Sequence, residues 1–270
     1  MQVYKGLPLL TAQPDAKDRA EIPHLLYEVL EPYEASSAGK WAAMAGAAVN
    51  DVWADGKTPV LVGGTGMYFA SLFGGLADIP PIPDDVRQKV VSLYEELGEK
   101  RFREKLAAMD SASAARIASN DRQRLIRAYE VVAHTGKTLG EWQSVGSAKG
   151  VIILAEDRHN VEKHLLLPDR AKLYAACDLR FSQMMENGAI DEVKSLTERN
   201  LDSELPAMKV IGVREIAAYL RGEIDLESAV KKAQQATRNY AKRQMTWFRN
   251  TGFGLGKGQY GKESVNENPR

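Results

Sequence analysis

The 270-residue sequence predicts an α/β protein: a parallel sheet core with an inserted helical domain and a helical C-terminal part. Three features predict it. Pro59-Val60-Leu61-Val62 is a short, wholly apolar run between two helical patterns, as in a parallel strand covered on both faces. Gly63-Gly64-Thr65-Gly66 follows at once, so strand, Gly-rich turn and helix make half of a βαβ unit. Beyond the Pro-rich stretch Asp78-Ile79-Pro80-Pro81-Ile82-Pro83 the pattern turns to helices only, which marks a boundary between core and insertion.

In chain order, Gln2-Val3-Tyr4 reads as the end of an extended segment and Lys5-Gly6 as a turn. Residues 11–23 are polar, with Pro14 and Pro23, and read as a loop. Residues 36–54 read as a helix. Ser36 or Ser37 caps it, Trp41, Met44, Ala48 and Val52 recur at helical spacing, and Gly56 and Lys57 end it. Met67–Phe73 reads as the helix after the glycines. In the insertion, Val86, Val90, Leu93, Tyr94 and Leu97 share one face, which Phe102, Leu106 and Met109 continue after Gly98. Residues 121–134 form another helix, stopped at Thr135-Gly136. Val151–Leu154 is a second apolar strand candidate. Asp169–Asn187 is a long amphipathic helix with Gly188 as its stop, and residues 227–249 form the last helix. This places the core at 1–83 and 146–255, the insertion at 84–145, and a Gly-, Lys- and Asn-rich tail, expected to be disordered, at 256–270.

Composition narrows the function classes. Hydrophobic residues are 44% and charged residues 27%, typical of a globular chain, which excludes collagen-like and low-complexity classes. Lys+Arg and Asp+Glu are both 36, so any nucleic-acid contact must come from a local patch rather than a general positive field. One cysteine, Cys177, excludes a disulfide framework and a multi-cysteine zinc site. The four histidines lack metal-ligand spacing. No apolar run approaches the roughly 18 residues of a membrane span, and MQVYKGLPLL has no signal-peptide pattern. The expectation is a cytoplasmic protein with no membrane partner.

Several segments suit chemistry. Gly63-Gly64-Thr65-Gly66 stands at the C-terminal end of a predicted parallel strand, where ligands bind in open α/β sheets. Glycines there let the backbone approach an anion, and Thr65 adds a hydroxyl near a helix N-terminus. A plain tight turn fits the same residues. Asp121 caps a helix that begins Arg122-Gln123-Arg124-Leu125-Ile126-Arg127, with Arg124 and Arg127 on one face. That face suits a phosphate grip with Gln123 at a base, and equally a solvated, salt-bridged helix start. Residues 205–250 carry nine Lys/Arg against four Asp/Glu, a basic patch on a neutral chain. It includes Lys209-Val210-Ile211-Gly212-Val213-Arg214 and Lys242-Arg243-Gln244-Met245-Thr246-Trp247-Phe248-Arg249. In the second segment Trp247 and Phe248 read as core residues.

Taken together and in order, these segments resemble the bacterial tRNA dimethylallyltransferases, also called tRNA isopentenylpyrophosphate transferases. The residues that carry the likeness are Gln2-Val3-Tyr4-Lys5-Gly6, Pro23-His24, Leu61 to Tyr68, Asn120 to Arg124, Gly212-Val213-Arg214 and Lys242 to Arg249. The resemblance implies a P-loop-type α/β core with an inserted helical domain that closes on tRNA. It implies transfer of a dimethylallyl group from dimethylallyl diphosphate to N6 of adenine 37, in tRNAs that read codons beginning with U. The adenine would be flipped into the enzyme, and magnesium would assist. Thr65 matches the reaction-centre threonine. Contacts with the anticodon stem-loop are implied for Met1, Gln2, Arg87, Gln123, Arg124, Leu125, Ile126, Arg127, Lys209, Gly212, Arg214, Lys242, Arg243, Gln244, Trp247 and Arg249, and diphosphate contacts for Gly63, Gly64 and Arg214. No metal ligand is assigned, and a monomer is expected.

The sequence departs from the family at its start. Members begin with a strand, Gly-x-x-x-x-Gly-Lys-Ser/Thr, a helix, and a strand ending in Asp-Ser whose aspartate is the expected general base. No such P-loop occurs in these 270 residues, and the Asp-Ser pair would lie immediately ahead of Met1. The expectation is a truncated or mis-started sequence, inactive as it stands. A non-catalytic RNA-binding remnant and a prenyltransferase of free adenine nucleotide are the alternatives.

Overall fold

The computed structural model describes residues 1–74, 77, 79–144 and 161–251. They are mostly helical: α1 (Ala16–Glu21), α2 (Ala38–Ala54), α3 (Gly66–Gly74), α4 (Asp84–Ala107), α5 (Ser111–Arg116), α6 (Arg122–Thr135), α7 (Leu139–Ser144), α8 (Arg170–Glu186), α9 (Ala189–Thr197), a 3-10 turn at Pro206–Lys209, α10 (Val213–Leu220) and α11 (Leu226–Thr251). The chain divides into two compact units, Met1–Ala70 with Leu154–Arg270, and Ser71–Ile153. The division falls within α3, so the Pro-rich stretch 78–83 lies inside the second unit.

In the first unit, Tyr4 pairs with Leu30 in an isolated parallel bridge. Leu30 N–H donates to Val3 O at 2.8 Å and Lys5 N–H to Leu30 O at 2.9 Å. Gly6 then turns the chain at φ +73°. Tyr4, Leu7 and Leu10 pack with Val193, Val213 and Ile216 to form the core. The Glu192 carboxylate ties this opening turn to α9 by accepting from Leu9 N–H at 2.8 Å and Leu10 N–H at 3.0 Å. Gly212 sits at φ +99°, where a Cβ would come 2.9 Å from Leu10 Cδ2 and 3.1 Å from Phe181 Cε2. Only glycine satisfies both the backbone angle and the space.

The expected parallel sheet is not formed among the described residues. Pro59–Val62 has no strand assignment, and Val60 and Val62 are 80% and 84% exposed. A buried strand needs its N–H and C=O groups paired on both sides. Apolar side chains cannot supply that pairing, so the run stays in solvent. The second candidate, Val151–Leu154, and the tail at 256–270 lie outside the described residues.

Local signals fare better. Ser37 caps α2, its Oγ accepting from Lys40 N–H at 3.1 Å. The buried face of α2 is Ala42, Ala45, Gly46 and Val49, displaced from the expected stripe of larger residues, which is only half-buried. Trp41, beside that face, lies flat on Tyr68 with ring centroids 4.8 Å apart. Residues 11–23 are not all loop: Asp15 and Asp18 form a reciprocal cap that starts α1.

The second unit packs α4 against α5 and α6. Gly98, at φ +70°, interrupts α4, and Phe102 just beyond it lies 5.0 Å from Tyr94 and 4.8 Å from Tyr129 between ring centroids. Met109, expected on the apolar face, falls past the end of α4 and is exposed. Asp121 caps α6 by accepting from Arg124 N–H at 3.1 Å, and Gly136 ends it in the left-handed conformation. Among the described residues no helix is long and apolar enough to cross a membrane.

Candidate functional site

Two segments 175 residues apart meet in the first unit. Thr65 Oγ1 and Tyr240 Oη are 3.0 Å apart, a hydrogen bond between hydroxyls. Thr65 stands just ahead of α3, and Tyr240 lies in the middle of α11. Tyr240, Gln244 and Trp247 fall at i, i+4 and i+7, one face of the helix. A Cβ built on Gly64 would run into the Gln244 amide, and one on Gly66 would overlap the Trp247 ring. Glycine at 66 is thus required by close approach to α11, whereas at 64 the flexible end of Gln244 can give way. The space beside Gly64, expected to face an anion, is taken by Gln244. At Gly63 a Cβ would be in ordinary contact with Phe69 at 3.7 Å, so that position is not closed off.

The surface of α11 beside that face is basic. Asn239, Lys242, Arg243, Thr246, Trp247, Asn250 and Thr251 line an open groove. The Arg243 guanidinium lies 5.6 Å from the Tyr240 ring centroid, within cation–π range. Lys242, Arg243 and Arg249 are exposed, and among the described residues none has a carboxylate within ion-pair distance. Met245 and Phe248 are buried on the opposite side and fix the helix in place. Of the two aromatics, Phe248 is core as expected and Trp247 is half-buried against Gly66. Burial pushes the Tyr68 phenol upward in pKa and the neighbouring Tyr240 adds to the rise, so this tyrosine stays protonated near neutral pH.

Elsewhere in this unit the expected cations are engaged. Lys209 Nζ is 2.9 Å from Glu204 Oε2, and Arg214 Nη2 is 3.9 Å from Glu204 Oε1. All three side chains are largely exposed, so these pairs hold the cations only loosely. Gly212 is buried and serves backbone geometry. Met1 is half exposed, and Gln2 Nε2 donates to Ala12 O at 2.9 Å.

In the second unit, Gln123 and Arg124 are exposed at the start of α6, with Arg124 Nε 3.3 Å from Asp121 Oδ2. Leu125 and Ile126 are buried and their side chains pack in the core with Phe102 and Leu106. Helical periodicity turns them inward wherever Gln123 and Arg124 point outward. Arg127 Nη1 is 2.7 Å from Glu130 Oε1, and Arg87 Nη1 is 3.9 Å from the same oxygen.

A sequence profile described as IPP transferase matches residues 2–251. The chain belongs to the IPP transferase family. It is 49% identical over 249 residues to the tRNA dimethylallyltransferase of Phenylobacterium zucineum (strain HLK1), covering 92% of this chain and 78% of that one. It is 46% identical over 257 residues to the tRNA dimethylallyltransferase of Caulobacter sp. (strain K31), covering 93% and 79%. Among solved structures it is similar to the tRNA isopentenylpyrophosphate transferase of Bacillus halodurans, with TM-score 0.60, 31% identity, and coverage of 92% and 76%. It is also similar to a eukaryotic dimethylallyltransferase acting on tRNA, with TM-score 0.75, 26% identity, and coverage of 92% and 61%.

This IPP transferase family member carries two functional candidates that the sequence did not single out, Tyr240 and Glu130. Tyr240 was hidden because its partner is 175 residues away. The pattern Arg127-x-x-Glu130 is visible in sequence as an i, i+3 pair, but its burial is not. Magnesium is a different matter. Among the described residues of this IPP transferase chain, no group of three His, Cys, Asp or Glu side chains is placed to hold a metal ion. No step of the transfer is assigned to a metal ion.

Proposed function

We propose that the chain carries the acceptor-binding and transfer-site residues of a tRNA dimethylallyltransferase. The observation that carries the reading is the Thr65–Tyr240 hydroxyl pair, set against the helix that also bears the exposed cations Lys242 and Arg243. The relatives' activity on tRNA supports it. In the transfer, the N6 amine of adenine 37 attacks C1 of the dimethylallyl group. The C1–O bond to diphosphate breaks, and one N6 proton leaves to a base.

Each part has a physical role. Negative charge grows on the departing diphosphate, and cations held close to it lower the barrier. Lys242, Arg243 and Arg214 are the candidates. The Thr65 hydroxyl, already paired with Tyr240, orients a hydrogen bond toward the reacting groups. Arg87, Gln123, Arg124 and Arg249 supply exposed groups for RNA phosphates and bases, and Arg127 a half-buried one. The proton acceptor, by family resemblance, is the aspartate of an Asp-Ser pair that would lie ahead of Met1. The diphosphate cradle, by the same resemblance, is a Gly-x-x-x-x-Gly-Lys-Ser/Thr segment that these residues do not contain. The chain by itself is therefore proposed to bind tRNA without turning it over.

The test measures tRNA affinity at several salt concentrations, together with labelled dimethylallyl transfer. Substituting Ala for Lys242, Arg243 or Arg249 removes one cation from the phosphates and should make the salt slope shallower by about 0.7–0.9 in each case. Transfer should be absent in the 270-residue chain and present when it is joined to the N-terminal segment of the Phenylobacterium relative. Unchanged slopes for all three variants would remove the RNA-grip reading. Transfer by the 270 residues alone would remove the claim of inactivity, and binding without transfer in the joined chain would favour a non-catalytic RNA-binding protein.

A further inference from the structure

We propose that Glu130 is a positioning residue for RNA binding by the helical unit. Its buried carboxylate holds Arg87 and Arg127 together as an outward-facing pair of phosphate-binding guanidiniums. The inference rests on the RNA-binding reading above.

The geometry is asymmetric. The Glu130 side chain is 1% exposed, whereas those of Arg87 and Arg127 are 57% and 41% exposed. Taking a carboxylate out of water is costly unless it is paired. An ordinary i, i+3 surface pair between Arg127 and Glu130 would need no such burial. Here the acid sits inside and both cations reach past it to solvent.

Both guanidiniums address the same oxygen, Oε1, from elements 40 residues apart in sequence. Arg87 belongs to the first turn of α4, and Arg127 to the middle of α6. Two guanidiniums brought this close would repel each other across open solvent. One buried negative charge between them offsets that repulsion and leaves a net positive charge spread over two donor forks. The Arg127 contact, at 2.7 Å, is a hydrogen-bonded ion pair. The Arg87 contact, at 3.9 Å, is a Coulombic one that leaves most of its N–H groups unspent. Glu130 Oε2 is buried without a hydrogen-bond partner among the described residues, so the carboxylate is not saturated by the fold around it. A guanidinium fixed in direction but not saturated is prepared to take a phosphate bidentately. With Gln123 and Arg124 exposed at the start of the same α6, the pair extends one cationic surface.

The experiment is a double-mutant cycle on tRNA binding, with wild type, Glu130→Gln, Arg87→Ala and the double variant of the whole chain. Affinity for an unmodified tRNA transcript is read by fluorescence anisotropy at several salt concentrations, and melting is followed by circular dichroism. Expected are a several-fold loss of affinity and a shallower salt slope for each single variant. The double variant should lose no more than about the larger single effect, because both substitutions disable the same phosphate-binding pair. Glu130→Asp keeps the charge and should restore part of the slope that Glu130→Gln loses. If Glu130→Gln does not fold, Arg127→Ala is crossed with Arg87→Ala in the same cycle, and losses that simply multiply there would overturn the paired grip held on one Glu130 oxygen. Wild-type affinity and slope in the Glu130 variant, tighter binding, or effects that simply multiply in the double variant would overturn the positioning role. If Arg87→Ala and Arg124→Ala both bind as wild type, the RNA reading of this unit fails and the proposal falls with it. If those two lose affinity while the Glu130 variant does not, the proposal alone fails.

Discussion

The Thr65 hydroxyl is bonded to the Tyr240 hydroxyl at 3.0 Å. The Gly-rich turn that positions Thr65 is itself pressed onto α11 through Gly64 and Gly66. A freely rotating threonine hydroxyl has no fixed direction, and this one has its direction set by a residue that is not part of the turn. Tyr240→Phe keeps the ring and removes that partner. In the transfer-competent protein it is expected to lower kcat roughly three- to tenfold, the worth of about one net hydrogen bond. KM for tRNA should change little. A variant that keeps its kcat but loses tRNA affinity would make Tyr240 a docking residue.

The three glycines should rank by what their Cβ would meet. Gly66→Ala drives a methyl into the Trp247 ring, whose bulk cannot swing aside, and should cost about 1–3 kcal/mol. Gly64→Ala meets the flexible end of Gln244 and should cost less. Gly63→Ala has ordinary contacts only and should be close to neutral. Urea unfolding of the three variants checks the order, and a Gly63 variant less stable than the Gly66 variant would contradict it.

At the start of α6, stability and binding should separate by residue. Leu125→Ala empties a fully buried position and should cost about 2–5 kcal/mol, with RNA affinity unchanged in the folded fraction. Gln123→Ala removes an exposed side chain and should leave stability within about 0.5 kcal/mol while altering tRNA binding or turnover. Thermal melting and anisotropy on the same samples distinguish the two.

The Glu192 carboxyl is held above its usual range. Burial is the main cause, the Leu10 and Leu9 N–H groups oppose it, and Glu28 adds to the rise. An acid with a raised folded pKa holds its proton longer in the folded chain than in the unfolded one. Its stabilising contribution is complete below the unfolded value, 4.5, and is lost as pH rises through the folded value. Glu192→Gln does not titrate. The stability of the variant relative to wild type should therefore increase as pH is raised from 4.5. Urea titrations across that range check the sign, and a constant difference would count against it.

What the sequence determined by itself is local or cumulative. Ser37, Asp121 and Asp169 each cap a helix by bonding a backbone N–H two or three residues away, so a short window contains the whole interaction. The order of the motifs, each weak alone, was enough to point to the family that the profile then matched over residues 2–251. The tertiary structure decided whatever depends on a distant partner. Pro59–Val62 has a strand's composition, yet no described segment pairs with it, and backbone pairing rather than apolarity makes a strand. Leu125 and Ile126 match the family's RNA-contacting stretch in sequence, but the packing of α6 turns them inward. Thr65 gains its partner from α11, and Glu130 gains a second arginine from α4. Neither pairing leaves a mark in any window of residues, because each is set by the path of the chain between them.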